Sequence, residues 1–329
     1  MTADPTPSEA ALVELEALAF VGQGLKRPEC ILSTRAGSLF VSDWEGGVAR
    51  LAPDGGITRT LEPEGWLRPN GIGLRPDGSF LIAHLGDDSG GLYHLLPDGA
   101  LRPILLEIDG TPLPPSNYPL EDEAGRIWLT VSTRRVPRDT AYRADIADGF
   151  IILIDDRGAR IAADGLGYTN EIRIDPSGDW LYVNETFARR MSRFRLAADG
   201  ALSDKETVTE FGPGSFPDGM AFDSEGAVWV TCIVSNRVIR VLPDGRQELI
   251  LEDADGEHLD WVETAYQERR LGRPHLDKIP SRRLRNISSL AFGGPDLKTV
   301  YLGCLLGDSI AHFRSPIAGL PPPYWDFAV

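Results

Sequence analysis

Two carboxylates and four amides hold the same place in a phrase that the chain repeats six times. In its clearest copy, Asp218 comes just ahead of the apolar run Met220-Ala221-Phe222. An acidic turn ending at Gly226 follows, and then a second apolar run, Val228-Trp229-Val230. Asn70 leads Gly71-Ile72 and Asn170 leads Glu171-Ile172 in the same way. Weaker copies put Glu29, Asn117 and Asn286 in that position. Any one of these residues alone is a common turn cap. As a set they are side-chain oxygens without a Lys or Arg among them. Such a set suits a hard divalent cation, Ca²⁺ first, with Zn²⁺, Mn²⁺ or Mg²⁺ as alternatives. A cation held there would be a Lewis acid.

The elements that must position these residues follow from the same phrase. Two short apolar runs around a Gly-containing turn read as antiparallel strands. Ser38–Asp43, Val48–Leu51 and the turn at Pro53-Asp54-Gly55 extend the first copy to four strands. The copies recur at intervals of 41, 47, 53, 48 and 68 residues, the last lengthened by an insertion, near the spacing of propeller blades, roughly 40–50 residues. The fold expected is all-β: a six-bladed β-propeller with four-stranded antiparallel blades, forming one domain over residues 1–329. Radial repetition leaves few free sheet edges. In such a blade the loop leading to the innermost strand shares a face with the loop between the second and third strands. Glu29, Asn70, Asn117, Asn170, Asp218 and Asn286 should therefore meet at one mouth of the channel. In that reading the loops between second and third strands wall the pocket, with Trp44, His84, Thr133, Glu185, Phe187 and Cys232 as candidates.

Three segments stand outside the repeat. Residues 1–20 are a tail, with an amphipathic turn or a closing outer strand near Leu12, Leu15 and Leu18. Residues 253–283 are a charge-rich insertion carrying Trp261, Tyr266 and His275, partly helical over 259–271, either a lid or a solvated excursion. Residues 316–329 form a C-terminal tail for packing on a blade or on a partner subunit, which opens the way to a homo-oligomer.

Composition narrows the partners. A net charge of −16 opposes binding to nucleic acid. The polar start Met1–Pro5 lacks the basic and apolar regions of a signal peptide, and no apolar run is long enough to span a membrane. Cys30, Cys232 and Cys304 are odd in number and form no CxxC. They read as buried thiols in a reducing, cytoplasmic compartment. The expected partner is a small-molecule substrate. No Gly-x-Ser-x-Gly elbow is present, which argues against a serine hydrolase.

Several longer stretches carry a family resemblance. They are Asn170 with Ile172-Arg173-Ile174-Asp175-Pro176, then Pro217-Asp218-Gly219-Met220, then Asn286 with Leu290-Ala291-Phe292-Gly293-Gly294-Pro295-Asp296-Leu297. From Leu25 to Phe313 the chain resembles the SMP-30/gluconolactonase/LRE family. That resemblance implies a metal-dependent hydrolase of a lactone or related ester, with Glu29, Asn117, Asn170 and Asp218 as metal ligands and Asp218 as the catalytic base or the group that orients the attacking water. Asn70, Tyr118, Glu171, Trp44, His84 and Asn286 are then the candidates for the substrate pocket. The chain departs from the family where Pro115 and Tyr118 replace an Arg and an Asp that hold a sugar acid, and where Glu171 replaces a common Gly. The first departure points to a less polar ligand. Together they keep open a metal-dependent lyase or isomerase on the same site; a non-catalytic propeller binding module is the third reading.

Overall fold

In the computed structural model, which describes residues 11–60 and 66–328, each repeat closes into a four-stranded antiparallel sheet. Six such sheets, arranged as a β-propeller, are present among the described residues, together with a small hairpin pairing Glu107–Ile108 with Thr111–Pro112. The opening residues Met1–Pro5 lie outside the described residues. The innermost strands are Ile31–Ser33, Pro69–Leu74, Ser116–Glu121, Thr169–Ile174, Ser215–Phe222 and Ile287–Gly293. Their apolar residues alternate with those of the second strands into the spaces between blades. Ile72, Leu81, Ile82, Trp128, Ile172 and Trp229 are fully buried there. Each such side chain contributes about 1.5–3 kcal/mol relative to exposure.

The ring is closed by the chain's beginning. Ala19–Val21 pairs with Ile310–Arg314, Ala19 facing His312, as the outer strand of the last blade. A short 3-10 turn, Leu15–Ala17, precedes it. The closing strand is thus one of the two structures expected for residues 1–20, and it covers an edge that would otherwise be open.

The tail from 316 onward packs on its own chain. Trp325 is buried, its carbonyl accepts from the Arg35 amide at 2.8 Å, and Phe327 lies 6.2 Å from Phe40. Leu320 bonds to the carbonyl of Phe222, and Gly319 bridges Asp223. These partners belong to the acidic Gly turns, so the tail crosses the face opposite the leading loops.

The inner strands are interrupted where the polar residues sit. Their pairing skips between Pro69 and Ile72, Ser116 and Tyr118, Thr169 and Ile172, and Pro217 and Met220. Asn70, Asn117, Asn170 and Asp218 all lie in these bulges. A bulge frees residues from the ladder and re-aims their side chains. The amides released from pairing are bonded by second-strand hydroxyls: Cys30 to Ser42, Tyr118 to Thr130 and Gly219 to Thr231, at 2.9, 3.0 and 3.0 Å. Two bulge positions demand glycine for close approach. A Cβ on Gly71 would stand 2.8 Å from the Asn117 carbonyl, and one on Gly219 would stand 2.6 Å from the Ser288 carbonyl.

The loops ahead of the bulges are pinned by the ends of second strands. The Lys26, Arg68 and Gly167 amides donate to Asp43, His84 and Glu185 at 3.3, 3.1 and 2.7 Å. Glu185 is the most heavily bonded of the three. It also accepts from Arg190 at 2.7 and 2.8 Å, Ser192 at 2.6 Å and Lys205 at 2.9 Å. Burial raises its carboxyl, but these donors outweigh burial and hold it down at about 2. A folded value below the unfolded one stabilises above about pH 4 and loses that contribution as pH falls toward 2. Glu185→Gln is expected to cost about 3 kcal/mol at pH 7 in urea unfolding. The gap to the parent should close between about pH 4 and pH 2; a gap that stays constant across that range would refute the account.

Candidate functional site

The bulges, the leading loops and the second-to-third loops deliver seven of the sequence candidates to one cavity of about 450 Å³: Glu29, Asn70, Asn117, Asn170, Asp218, Trp44 and Phe187. Such a volume is within the usual range for small-molecule sites. Glu29, Asn117, Asn170 and Asp218 are each buried to within 3–4% of complete.

The amides are oriented by what their nitrogens bond. Asn170 donates to Thr186 Oγ1 at 2.9 Å, and that hydroxyl spends its own proton on the Pro217 carbonyl at 2.8 Å. Asn117 donates to Ser132 Oγ at 3.1 Å. Asn70 donates to Glu29 Oε1 at 3.0 Å and to the Asn117 carbonyl at 3.2 Å. With the nitrogens tethered outward, Asn117 Oδ1, Asn170 Oδ1 and Glu29 Oε2 are left buried with no hydrogen-bond partner. An unsatisfied buried acceptor costs about 1–3 kcal/mol. Three of them among the residues of one cavity are a recognisable ligand pattern for a hard cation.

The carboxyls report the same deficit of positive charge. Burial, then the neighbouring Glu29 and Glu171 charges, push the Asp218 carboxyl well above its ordinary range. Burial also raises Glu29, against the pull of Arg27. An unpaired Asp is expected to be ionised at neutral pH; here burial and two neighbouring carboxylates oppose the charged form, and a bound cation would favour it. The residues present therefore fit a divalent cation.

Four expected pocket residues lie elsewhere than in the cavity wall. His84 is buried beside Trp66 and Tyr93, and its Nδ1 accepts from the Arg68 amide, so it positions a loop. Asn286 accepts from the Val234 amide at 2.8 Å and donates to the Leu276 carbonyl at 3.0 Å. Its amide is consumed in holding Val234 at a left-handed φ of 72°, a strained state for a β-branched residue. Tyr118 and Glu171 lie one step further along their strands. Glu171 pairs with Arg173 at 2.9 Å and accepts from the Met220 amide, and Arg173 stacks on Tyr118 at 4.7 Å. This layer lies on the side of the hub toward the tail. Among the second-to-third loop residues, Trp44 and Phe187 reach the cavity. Thr133 instead donates to Asp148, Glu185 pins a loop, and Cys232 is buried among apolar residues.

Sequence reasoning passed over the cavity's cations and its aromatic wall. Arg27, Arg138 and Arg273 line it, as do Tyr142, Tyr168 and Thr186. Pro115 and Tyr118 pointed to a less polar ligand, but arginines from other loops stand in the cavity. Arg27 has a left-handed φ of 52° and donates to Asn70 Oδ1 at 2.9 Å. Its place two residues before Glu29 was a readable signal. Arg138 comes from the long segment between Val131 and Gly149, whose length was the other signal.

The matches to known proteins fit this geometry. Residues 27–252 match the model of the SMP-30/Gluconolactonase/LRE-like region. The chain belongs to that family. It is 29% identical over 281 residues to 6-deoxy-6-sulfogluconolactonase of Pseudomonas putida, covering 83% of this chain and 81% of that one. Among solved structures, a gluconolactonase of Xanthomonas campestris superposes with a TM-score of 0.67 at 18% identity, covering 91% of this chain and 89% of the other. A calcium-binding regucalcin of Agrobacterium tumefaciens superposes with a TM-score of 0.62 at 18% identity, covering 92% and 97%.

Within this family member the insertion is a wall of the cavity. It forms two helices, α1 (Gly256–Gln267) and α2 (Arg273–Asp277), with Asp255 capping α1. Tyr266 is buried and donates to the Phe187 carbonyl at 2.7 Å, while Trp261 is exposed and stacks on His275 at 4.1 Å. Arg189 clamps α1 to the blades, pairing with Glu263 at 2.6 Å and lying 3.8 Å from the Tyr266 ring. Arg189→Ala should lower stability by about 2–4 kcal/mol. It should also expose α1 to limited proteolysis at protease concentrations that leave the parent intact; unchanged cleavage would mean that the clamp does not hold the wall.

Proposed function

We propose that the chain is a divalent-cation-dependent lactone hydrolase. Lactone hydrolysis rests on the family and on the sulfogluconolactonase and gluconolactonase it resembles. The cation dependence rests on one observation above the others: buried, partnerless oxygens of Glu29, Asn117 and Asn170 around the same cavity as the raised Asp218 carboxyl. Calcium is the first choice of ion, given an all-oxygen donor set and the calcium-binding regucalcin among its structural neighbours.

Glu29, Asn117, Asn170 and Asp218 would hold the ion. When bound, it supplies a Lewis acid for the lactone carbonyl and keeps the site's carboxylates ionised. Asp218 then takes a proton from the attacking water as the water oxygen adds to the carbonyl carbon. The ring C–O bond breaks, and the proton passes to the departing ring oxygen, leaving a hydroxy acid. Asn70 fixes Glu29, and Thr186 fixes Asn170, so the donors are set before substrate arrives. Trp44, Tyr142, Tyr168 and Phe187 enclose the ring and limit water.

The test combines metal analysis with turnover on glucono-1,5-lactone. Chelation should abolish ring opening and added Ca²⁺ should restore it. Asp218→Asn should lower kcat by about 10²–10⁴ while the protein still binds the ion. Asn170→Ala should weaken ion affinity about 10-fold or more. Full activity in chelator, or an Asp218→Asn enzyme as fast as the parent, would defeat the proposal.

A further inference from the structure

Arg138 poses a question that the hydrolysis reading leaves open. Among the described residues its side chain makes no hydrogen bond and no ion pair, although it is half-buried and lines the cavity. It stands on the short 3-10 turn Arg138–Ala141, close enough to Glu29 and Asp218 to feel their charges. Arg27 reaches the same cavity from the first leading loop, and Arg273 reaches it from α2. The like-charged guanidiniums repel one another. Gathering like charges from three separate segments is unfavourable unless something negative joins them.

The charges around the cavity show what is missing. Arg273 pairs with Asp277 at 3.1 Å, Lys26 with Glu45 at 3.9 Å, and Arg173 with Glu171 at 2.9 Å. That leaves Arg27 and Arg138 facing Glu29 and Asp218. Once a divalent cation takes up the two carboxylates, both arginines are in surplus. A carboxylate, sulfonate or phosphate satisfies guanidinium donors in a geometry that a neutral sugar hydroxyl does not match.

We infer that the substrate carries a second, anionic group apart from the lactone carbonyl, and that Arg138, supported by Arg27 and Arg273, receives it. This rests on the cation-dependent reading above and adds the substrate's charge. The recognised class is a sugar-acid lactone with a terminal carboxylate, sulfonate or phosphate, in preference to one ending in a hydroxyl.

Binding of ring-opened products tests this without turnover. Gluconate, glucarate and 6-phosphogluconate would be titrated calorimetrically into Ca²⁺-loaded protein. The two compounds with a terminal anion should bind about tenfold or more tighter than gluconate. Arg138→Gln should remove that preference and Arg138→Lys should restore part of it, with thermal melts confirming that both variants fold. The relative order of glucarate and 6-phosphogluconate tells a carboxylate end from a phosphate end. Equal affinity for all three in the parent overturns the inference. So does a preference that survives in Arg138→Gln while kcat on glucono-1,5-lactone falls, because Arg138 would then serve the carbonyl. Ion content and opening of glucono-1,5-lactone in the same preparation separate the two readings. If both hold while the affinities are equal, only the anion site fails. A protein that holds no cation and opens no lactone removes the basis of both.

Discussion

The structure depends on a local defect repeated around a ring. A regular inner strand would send its side chains alternately into the two neighbouring blades and leave only backbone at the hub. The bulges at Asn70, Asn117, Asn170 and Asp218 break that alternation and turn oxygen-bearing side chains inward. The cost is a set of amides removed from the ladder, which second-strand hydroxyls at Ser42, Thr130 and Thr231 recover. Blade packing and site geometry are therefore set by the same residues. A hydroxyl lost from a second strand frees an amide in the core and also loosens the oxygen next to it.

Much of this was legible in the letters, because the repeat is written in turn chemistry. Gly-containing acidic turns at near-even spacing read as blades, and the residue ahead of each apolar run read as facing the mouth. Asp218 and Asn170 were found in this way. What was not legible concerns residues whose role depends on the bulge rather than on the repeat. Asn286 occupies the repeat position but sits ahead of its strand and is spent on Val234. Glu171 and Tyr118 looked like pocket residues because they replace polar or small family residues, yet they fall on the tail side of the hub. His84 looked like a pocket residue because its predicted place is near the mouth. Its nitrogen answers a backbone amide that Asp43 and Glu185 answer in other blades.

The arginines were hidden for a different reason. They belong to no repeat. Arg138 and Arg273 come from the irregular parts of the chain, a long loop and an insertion, where spacing carries no information about direction. The position where the family keeps an Arg is filled here by Pro115. That absence invited the conclusion that the cavity had lost its cation, when cations reach it from other segments. Function is carried by loops on a rigid scaffold, and loops are where a substrate-binding charge can relocate without disturbing the blades.

The mixture of amides and carboxylates at the hub fixes how that charge is felt. Four carboxylates would leave a divalent ion over-neutralised and would repel an anionic ligand. Four amides would leave the ion weakly held. With two of each, a divalent cation and its ligands together would be close to neutral, and Arg27 and Arg138 would no longer be balanced by Glu29 and Asp218. The same two acids would thus serve the ion and, by being occupied with it, release the arginines for a ligand. An anionic group binding in the cavity restores neutrality in a space that burial keeps poor in water, where an unbalanced charge is expensive. Ion and ligand should for that reason favour each other's binding, an electrostatic coupling that is reciprocal by thermodynamic necessity.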